Sequence, residues 1–279
     1  MIETQASRTA MMVAGYRARA TARENPVCDD RWAAALAGDH GIELSHRFDA
    51  SFPHMELWMA VRTAYLDAQV RAWSESFSQV VLLGAGLDTR AARLARAGVR
   101  FFEVDHPATQ AHKRERLNAA DGYPMDAATF APCDFEREDF LDRLAAVGYD
   151  ADAPAVIVWE GVVPYLTEPA VRGTLHRVAT GCHPHTVLLF DYLMKRMAEG
   201  APDLPEHDKQ TRQMVADLGE PVQFGINDPV PLLYEEGFRH VRAISFNEIC
   251  LSLTGTYDRA RMFRFQHVAL ASRHVHTVL

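Results

Sequence analysis

The sequence predicts an α/β fold in which alternating strands and helices build a mostly parallel sheet. From Gln79 onward, short apolar runs alternate with helical patterns, which is typical of consecutive β-α-β units. The first apolar run leads into a glycine turn, Gly84-Ala85-Gly86, and then into an alanine- and arginine-rich helix. A chain of 279 residues, 48% of them hydrophobic, is long enough for one large domain or two small ones.

Residues 1–75 are predicted to form a helical cap that precedes the sheet. Apolar residues recur here at helical intervals, and Asn25-Pro26 and Gly38 are expected to end the first two helices. The three predicted helices run from Thr9 to Arg23, from Arg31 to Leu36, and onward from Pro53.

The remaining residues, 76–279, are predicted to form a core of about seven strands. Strands are predicted at 79–83, 100–104, 128–133, 155–159, 186–191, 238–246 and 263–271, and helices at 88–97, 107–119, 137–146 and 168–180. The last two strands, with Gly255 between them, are expected to form an antiparallel pair near the sheet edge. Gly and Pro residues interrupt the segment 192–237, which is long for a plain connection and is therefore predicted to be a lid or a substrate wall.

The composition excludes several classes of protein. A net charge of −8 argues against a nucleic-acid groove, which needs a basic face. No apolar run approaches the roughly 18 residues of a membrane helix, and the N-terminal residues lack the apolar centre of a signal peptide. Four scattered cysteines without a C-x-x-C pair indicate reduced thiols, and no histidine spacing indicates a metal site. A cytoplasmic protein without a metal ion is therefore expected.

Acidic residues follow most of the predicted parallel strands at the edge where such sheets bind ligands. The groups at this edge are Gly84-Ala85-Gly86, Asp105, Asp134-Phe135, Glu160-Gly161 and Asp191-Tyr192. An acid about 20 residues after a glycine turn is where a nucleoside-containing cofactor has its ribose bound. The converging carboxylates suit a ligand with hydroxyl, amino and cationic groups better than one with a pyrophosphate. This chemistry favours S-adenosylmethionine over NAD, and Thr89 stands where a dinucleotide fingerprint has its third glycine.

The sequence also resembles the leucine carboxyl methyltransferase family of class I methyltransferases, whose members include aromatic polyketide methyltransferases and protein-phosphatase carboxyl methyltransferases. The resemblance covers residues 55–195. The matching pieces are Arg62-Thr63 with Asp67, the run from Val80 to Arg90, Phe102-Glu-Val-Asp-His-Pro107 with Lys113, Cys133-Asp-Phe135, and Trp159-Glu-Gly-Val-Val-Pro-Tyr-Leu166. It implies a Rossmann-like class I methyltransferase sheet.

The resemblance further implies a role for each residue of a cofactor pocket. Arg62 would hold the methionine carboxylate, and Glu160 the ammonium. Gly84, Ala85 and Gly86 would line the methionine part, Asp105 would bind the ribose, and Asp134 and Phe135 the adenine. Glu103 shares a strand face with Asp105 and is either structural or part of the site, and Arg90 either joins the site or pairs with an acid. Tyr165 and Tyr192 are candidate substrate contacts.

The predicted function is S-adenosylmethionine-dependent O-methylation of a small acidic molecule. A carboxylate acceptor is favoured because it is already ionised, whereas a phenol needs a general base. None of the histidines has a motif that marks it as that base, and the catalytic residues stay unassigned. A phenolic acceptor of secondary metabolism, a protein C-terminal carboxylate, an NAD-dependent oxidoreductase and a non-catalytic scaffold remain alternatives. The oligomeric state is left open.

Overall fold

A single sheet forms the centre of the protein, seen in a computed structural model that describes residues 7–50, 54–135, 137–256 and 264–275. Its strands are β1 (Gln79–Leu83), β2 (Arg100–Asp105), β3 (Ala128–Pro132), β4 (Ala155–Trp159), β5 (Val187–Leu193), β6 (His240–Ser245) and β7 (Gln266–Ser272). They lie in the order β3-β2-β1-β4-β5-β7-β6. The first five run parallel, and β7 is antiparallel to both β5 and β6.

Helices precede the sheet and connect its strands. They are α1 (Arg8–Thr21), α2 (Ala33–Asp49), α3 (Met55–Trp73), α4 (Arg90–Arg93), α5 (Pro107–Ala119), α6 (Phe140–Ala146), α7 (Glu168–Gly181), α8 (Lys195–Ala198), α9 (Glu206–Asp217), α10 (Pro229–Glu235) and α11 (Phe246–Thr254), with a 3₁₀ turn at Val163–Tyr165. No described helix is both long and apolar enough to cross a bilayer.

Two apolar layers cover the sheet, because successive side chains of a strand point to opposite faces. Val80 and Leu82 of β1 pack in one layer together with the helices of the N-terminal segment and α11. Val81 and Leu83 pack in the other layer, with α6, α7 and α10. Tyr16 and Trp58 are buried in the first layer, so the N-terminal helices share a hydrophobic core with the sheet.

The predicted α/β class and the antiparallel last pair are confirmed, but one local prediction is wrong. The helix predicted at 88–97 covers only Arg90–Arg93, because the chain turns back through Gly98, at φ 81°, to reach β2. Gly38, with φ 59°, is non-helical and ends the first helical stretch of α2 as predicted, and a second stretch that was not predicted continues to Asp49. The last two strands are separated by α11, a helix that was not predicted, and Gly255 is its left-handed C-cap. Pro53 and residue 263, predicted as starts of a helix and a strand, lie outside the described residues.

Candidate active site

A cavity of about 510 Å³ lies beyond the carboxyl ends of β1, β2 and β4, within the usual size range of small-molecule sites. Nine of the predicted site residues line it: Arg62, Gly84, Ala85, Gly86, Asp105, Asp134, Phe135, Glu160 and Tyr165. The cavity walls also include side chains from the first turns of α1, such as Thr9 and Val13, and from residues 219–223. Tyr192, the tenth predicted site residue, does not line this cavity. It is buried, and its ring stacks on the ring of His267, with the two ring centroids 5.3 Å apart.

A second cavity, of about 580 Å³, lies among the N-terminal helices, away from the strand ends. Its charged side chains pair with one another: Arg19 bonds Asp49 at 2.6 Å, and Glu56 bonds both Arg19 and Arg23. The cavity at the strand ends, where the predicted residues meet, is therefore the candidate active site.

The glycine turn brings bare backbone to the wall of the cavity. Gly84 and Gly86 have φ angles of 66° and 49°, which favour glycine. The N–H groups of Gly84 and Ala85 both donate to the carbonyl oxygen of Val104, at 2.8 and 3.2 Å. A Cβ atom on Gly84 would lie 2.5 Å from Cγ2 of Val162. Glycine is thus needed at position 84 both for the turn and for the close packing of Val162, which lies in the loop after β4.

Thr89, the departure from the dinucleotide fingerprint, has a structural use. Its hydroxyl donates to Asp30 Oδ1 at 2.7 Å. The other oxygen of Asp30 accepts from Arg17 Nε at 2.9 Å, and Arg17 also donates to the carbonyl oxygen of Leu87 at 2.6 Å. These bonds tie α1 to the end of the glycine turn. Arg17 was not among the residues predicted from the sequence, although Thr9, Val13 and Arg17 recur every four residues and so share one helix face.

Backbone groups fix the orientation of Asp105. Its Oδ2 accepts from the N–H of Gly86 at 2.5 Å, and its Oδ1 accepts from the N–H of His106 at 2.6 Å. Burial raises the pKa of this carboxyl, and the two backbone bonds and Lys113 act in the opposite direction. Each carboxylate oxygen has a further lone pair, so a correctly oriented carboxylate can still accept hydrogen bonds from hydroxyl groups in the cavity.

Arg62 joins the carboxyl ends of β4 and β5. Its Nε donates to Glu160 Oε1 and its Nη1 to Asp191 Oδ2, each at 2.8 Å. The second oxygen of Asp191 accepts from the N–H of Gly161 at 2.6 Å. Burial alone would raise the pKa of Glu160, but Arg90 and Arg62 hold it below its usual range. Glu160 is therefore a carboxylate with two cationic partners.

Arg90, for which the sequence left two interpretations open, is buried among acidic residues. It donates to Asp67 Oδ1 at 2.6 Å and to Glu160 Oε2 at 2.8 Å, and it also bonds Asp88. Its side chain is 1% exposed, and a charge buried in this way requires compensating carboxylates. The charges of Glu160 and Asp191 are therefore offset by arginines of the protein itself, Arg62 and Arg90.

Glu103 is buried beneath the cavity rather than in its lining. Its Oε2 accepts from Nζ of Lys113 at 2.5 Å, and both side chains are fully buried. Burial raises the pKa of Glu103 to about 7, although Lys113 opposes the change. Of the two interpretations that the sequence left open, these contacts favour the structural one.

The end of the cavity formed by Asp134 and Phe135 is more exposed than the end formed by Arg62 and Glu160. Phe135 is 37% exposed, and its ring lies 6.4 Å from that of Phe140. Oδ2 of Asp134 lies 3.5 Å from Nε of Arg137.

All four cysteines of the chain are buried free thiols. No group of His, Cys, Asp or Glu residues in the described part of the chain could hold a metal ion.

Comparisons with known proteins relate the chain to one family. The family model described as leucine carboxyl methyltransferase matches residues 10–179. A relative from Mycolicibacterium vanbaalenii, named "Putative S-adenosyl-L-methionine-dependent methyltransferase", is 31% identical over 83% of this chain and 77% of its own length. A relative of the same description from Streptomyces coelicolor is 35% identical over 69% of this chain and 72% of its own.

Solved structures share the fold at low sequence identity. A DUF574 family protein from Streptomyces avermitilis has a TM-score of 0.68 and 14% identity, covering 98% of this chain and all of that one. The mitomycin 7-O-methyltransferase has a TM-score of 0.50 and 17% identity, covering 95% of this chain and 66% of that one.

The sheet order and the family match together define a class I S-adenosylmethionine-dependent methyltransferase. Within that class, the chain belongs to the leucine carboxyl methyltransferase family.

Proposed function

We propose that this protein transfers the methyl group of S-adenosylmethionine to an oxygen atom of a small molecule. The observation that carries the proposal is that one cavity is lined both by the predicted cofactor residues and by further walls. Those further walls come from α1, the 3₁₀ turn and residues 219–223, and they include the apolar side chains Val13, Leu166 and Pro221. The cavity therefore offers a second set of contacts in which an acceptor can lie beside the cofactor.

The lining residues fit the cofactor in three respects. The glycine turn exposes backbone without a Cβ atom, Asp105 presents an oriented carboxylate to ribose hydroxyls, and Phe135 offers an exposed ring face to adenine.

The amino-acid end of the cofactor would bind at Arg62 and Glu160. Arg62 uses Nε and Nη1 for Glu160 and Asp191, and its Nη2 bonds neither of these carboxylates. That nitrogen is suited to the methionine carboxylate, and the remaining lone pairs of Glu160 to the ammonium. The arginine network holds both groups in place before the ligand arrives.

When bound, S-adenosylmethionine supplies an electrophilic methyl group on a sulfonium. The task of the protein is then to align the acceptor oxygen and to exclude water. The N-terminal helices and the segment 192–237 are proposed to do both, since each contributes residues to the cavity wall. Tyr165 keeps its proposed role as a substrate contact, and Tyr192, packed on His267, supports the sheet rather than the acceptor.

Two acceptors remain candidates. The family resemblance supports a carboxylate, which needs no base. The presence of Glu220 in the cavity lining favours a hydroxyl compound, because a second carboxylate would be repelled.

Calorimetry with S-adenosylhomocysteine and with NAD tests the cofactor assignment. We expect S-adenosylhomocysteine to bind and NAD not to bind. Asp105→Ala should weaken binding by roughly 1–3 kcal/mol, the cost of leaving polar ligand groups without a partner. Binding of NAD without S-adenosylhomocysteine would refute the proposal.

A further inference from the structure

Glu220 is the acidic residue of the cavity that lies farthest along the chain. It follows Gly219, whose φ is 93°, in the connection between α9 and α10. Its Oε1 accepts from the hydroxyl of Ser7 at 2.7 Å, and Ser7 also caps α1 by accepting from the N–H of Ala10 at 3.0 Å. The carboxylate is thus held where α1 and the 192–237 segment meet at the cavity wall.

The charge of Glu220 has no cationic partner within the part of the chain that the structure describes. The three guanidiniums of the lining pair with other acids: Arg17 with Asp30, Arg62 with Glu160 and Asp191, and Arg137 with Asp134. Glu220 therefore adds an unpaired negative charge to the wall of the cavity. A hydroxyl group from Ser7 stabilises this charge but does not neutralise it.

Tyr165 shows where this charge acts. Burial raises the pKa of its hydroxyl, Glu220 raises it further, Arg62 opposes the change, and Asp191 adds to it. The phenol thus lies within the field of Glu220 on one side and of the Arg62 cluster on the other. Gln223, three residues after Glu220, donates from Nε2 to the carbonyl oxygen of Tyr165 at 2.7 Å. The segment that carries Glu220 therefore packs against the turn that carries Tyr165, and both line the cavity that contains Arg62 and Glu160.

We infer that Glu220 selects an uncharged hydroxyl compound as the acceptor. This inference rests on the proposed methyl transfer to oxygen. An acceptor hydroxyl donates its hydrogen bond to Glu220, whereas a carboxylate at the same place meets a like charge. On transfer, the acceptor oxygen forms its bond to the methyl carbon as the carbon–sulfur bond breaks, and the hydroxyl proton passes to Glu220. The products are the methyl ether, neutral S-adenosylhomocysteine and a protonated Glu220, so charge and atoms balance.

The test is the binding of a matched aromatic pair, 2-naphthol and 2-naphthoate, to the protein saturated with S-adenosylhomocysteine at pH 7.5. At this pH the phenol is neutral and the carboxylate is ionised. For the wild type, calorimetry should give a Kd for naphthol about tenfold or more below that for naphthoate. Glu220→Gln should reduce that ratio to near one by admitting naphthoate. Glu199→Gln, in the same segment but exposed and outside the lining, should keep the wild-type ratio.

Each other outcome overturns the inference. Naphthoate binding as tightly as naphthol to the wild type would show that Glu220 does not exclude anions. An unchanged ratio in Glu220→Gln, or an equal change in Glu199→Gln, would remove the specific role of Glu220. Binding of neither compound would mean that this wall does not receive an aromatic hydroxyl. The proposed function fails separately, if S-adenosylhomocysteine itself does not bind.

Discussion

Replacing the buried Glu103–Lys113 pair should change how stability depends on pH. Both side chains are fully buried, and Glu103 Oε1 has no hydrogen-bond partner among the described residues. Burial is the main cause that raises the pKa of Glu103 from 4.5 to about 7, with Asp88 and Asp105 acting in the same direction. The double variant Glu103→Gln/Lys113→Met removes both charges and keeps similar side-chain volumes.

The sign and size of the effect follow from proton linkage. Between about pH 4.5 and 7 the folded protein keeps a proton on Glu103 that the unfolded chain has lost, so the free energy of unfolding falls as pH rises. The contribution of Glu103 is complete below pH 4.5 and is lost as pH rises through 7. A pKa displacement from 4.5 to about 7 corresponds to about 3 kcal/mol. The double variant should therefore gain about 3 kcal/mol relative to the wild type between pH 4.5 and 8.

Urea denaturation followed by tryptophan fluorescence at several pH values measures this difference. The other acidic residues titrate in the same way in both proteins, so their contributions cancel in the difference in stability. Lys113→Met alone is the matched control; it leaves Glu103 without its cation and should be destabilised by about 3–5 kcal/mol at pH 8. A wild-type and a double variant whose stabilities differ by the same amount at every pH would refute the reasoning.

Three further predictions concern the cavity. Gly84→Ala places a Cβ atom on a residue with positive φ and presses it against Val162, which should lower the free energy of unfolding by about 1–3 kcal/mol. The midpoint of urea unfolding should therefore fall, and an unchanged midpoint would contradict the need for glycine in this turn. Arg62→Lys and Glu160→Gln should each weaken calorimetric binding of S-adenosylhomocysteine while circular dichroism stays native, because lysine replaces an arginine fork poorly. Wild-type affinity in both variants would contradict the assigned roles. If the acceptor is a hydroxyl, labelled methyl in the product should survive mild alkali, whereas release of the label would identify a methyl ester.

The sheet and its ligand-binding edge were predictable because their signals are local. The run Gln79–Leu83 is five consecutive buried residues, and Gly84 stops it in a conformation that only glycine adopts easily. Once the strands are known, the rule for parallel sheets brings Asp105 and Glu160 to one edge without further information.

The ion-pair network was not predictable, because it depends on tertiary contacts. The partners of Arg90 are separated from it by 2, 23 and 70 residues, and no periodicity encodes such pairing. The prediction of a helix at 88–97 was wrong because the end of this helix also depends on tertiary contacts. Arg90 and Arg93 are both committed to buried acids, and the chain must turn at Gly98 to enter β2.

The contact between Ser7 and Glu220 has a consequence for the order of folding. It joins residues 213 positions apart, whereas Arg17 meets Asp30 only 13 positions away and Leu87 at 70. During synthesis, α1 and α2 can pair as soon as both have emerged, but the wall of the cavity cannot form until Glu220 has been synthesised. Forming a contact between residues so far apart in the sequence is also slow. The cofactor therefore cannot assist the early stages of folding, and it can stabilise only a protein in which Ser7 and Glu220 have already come together.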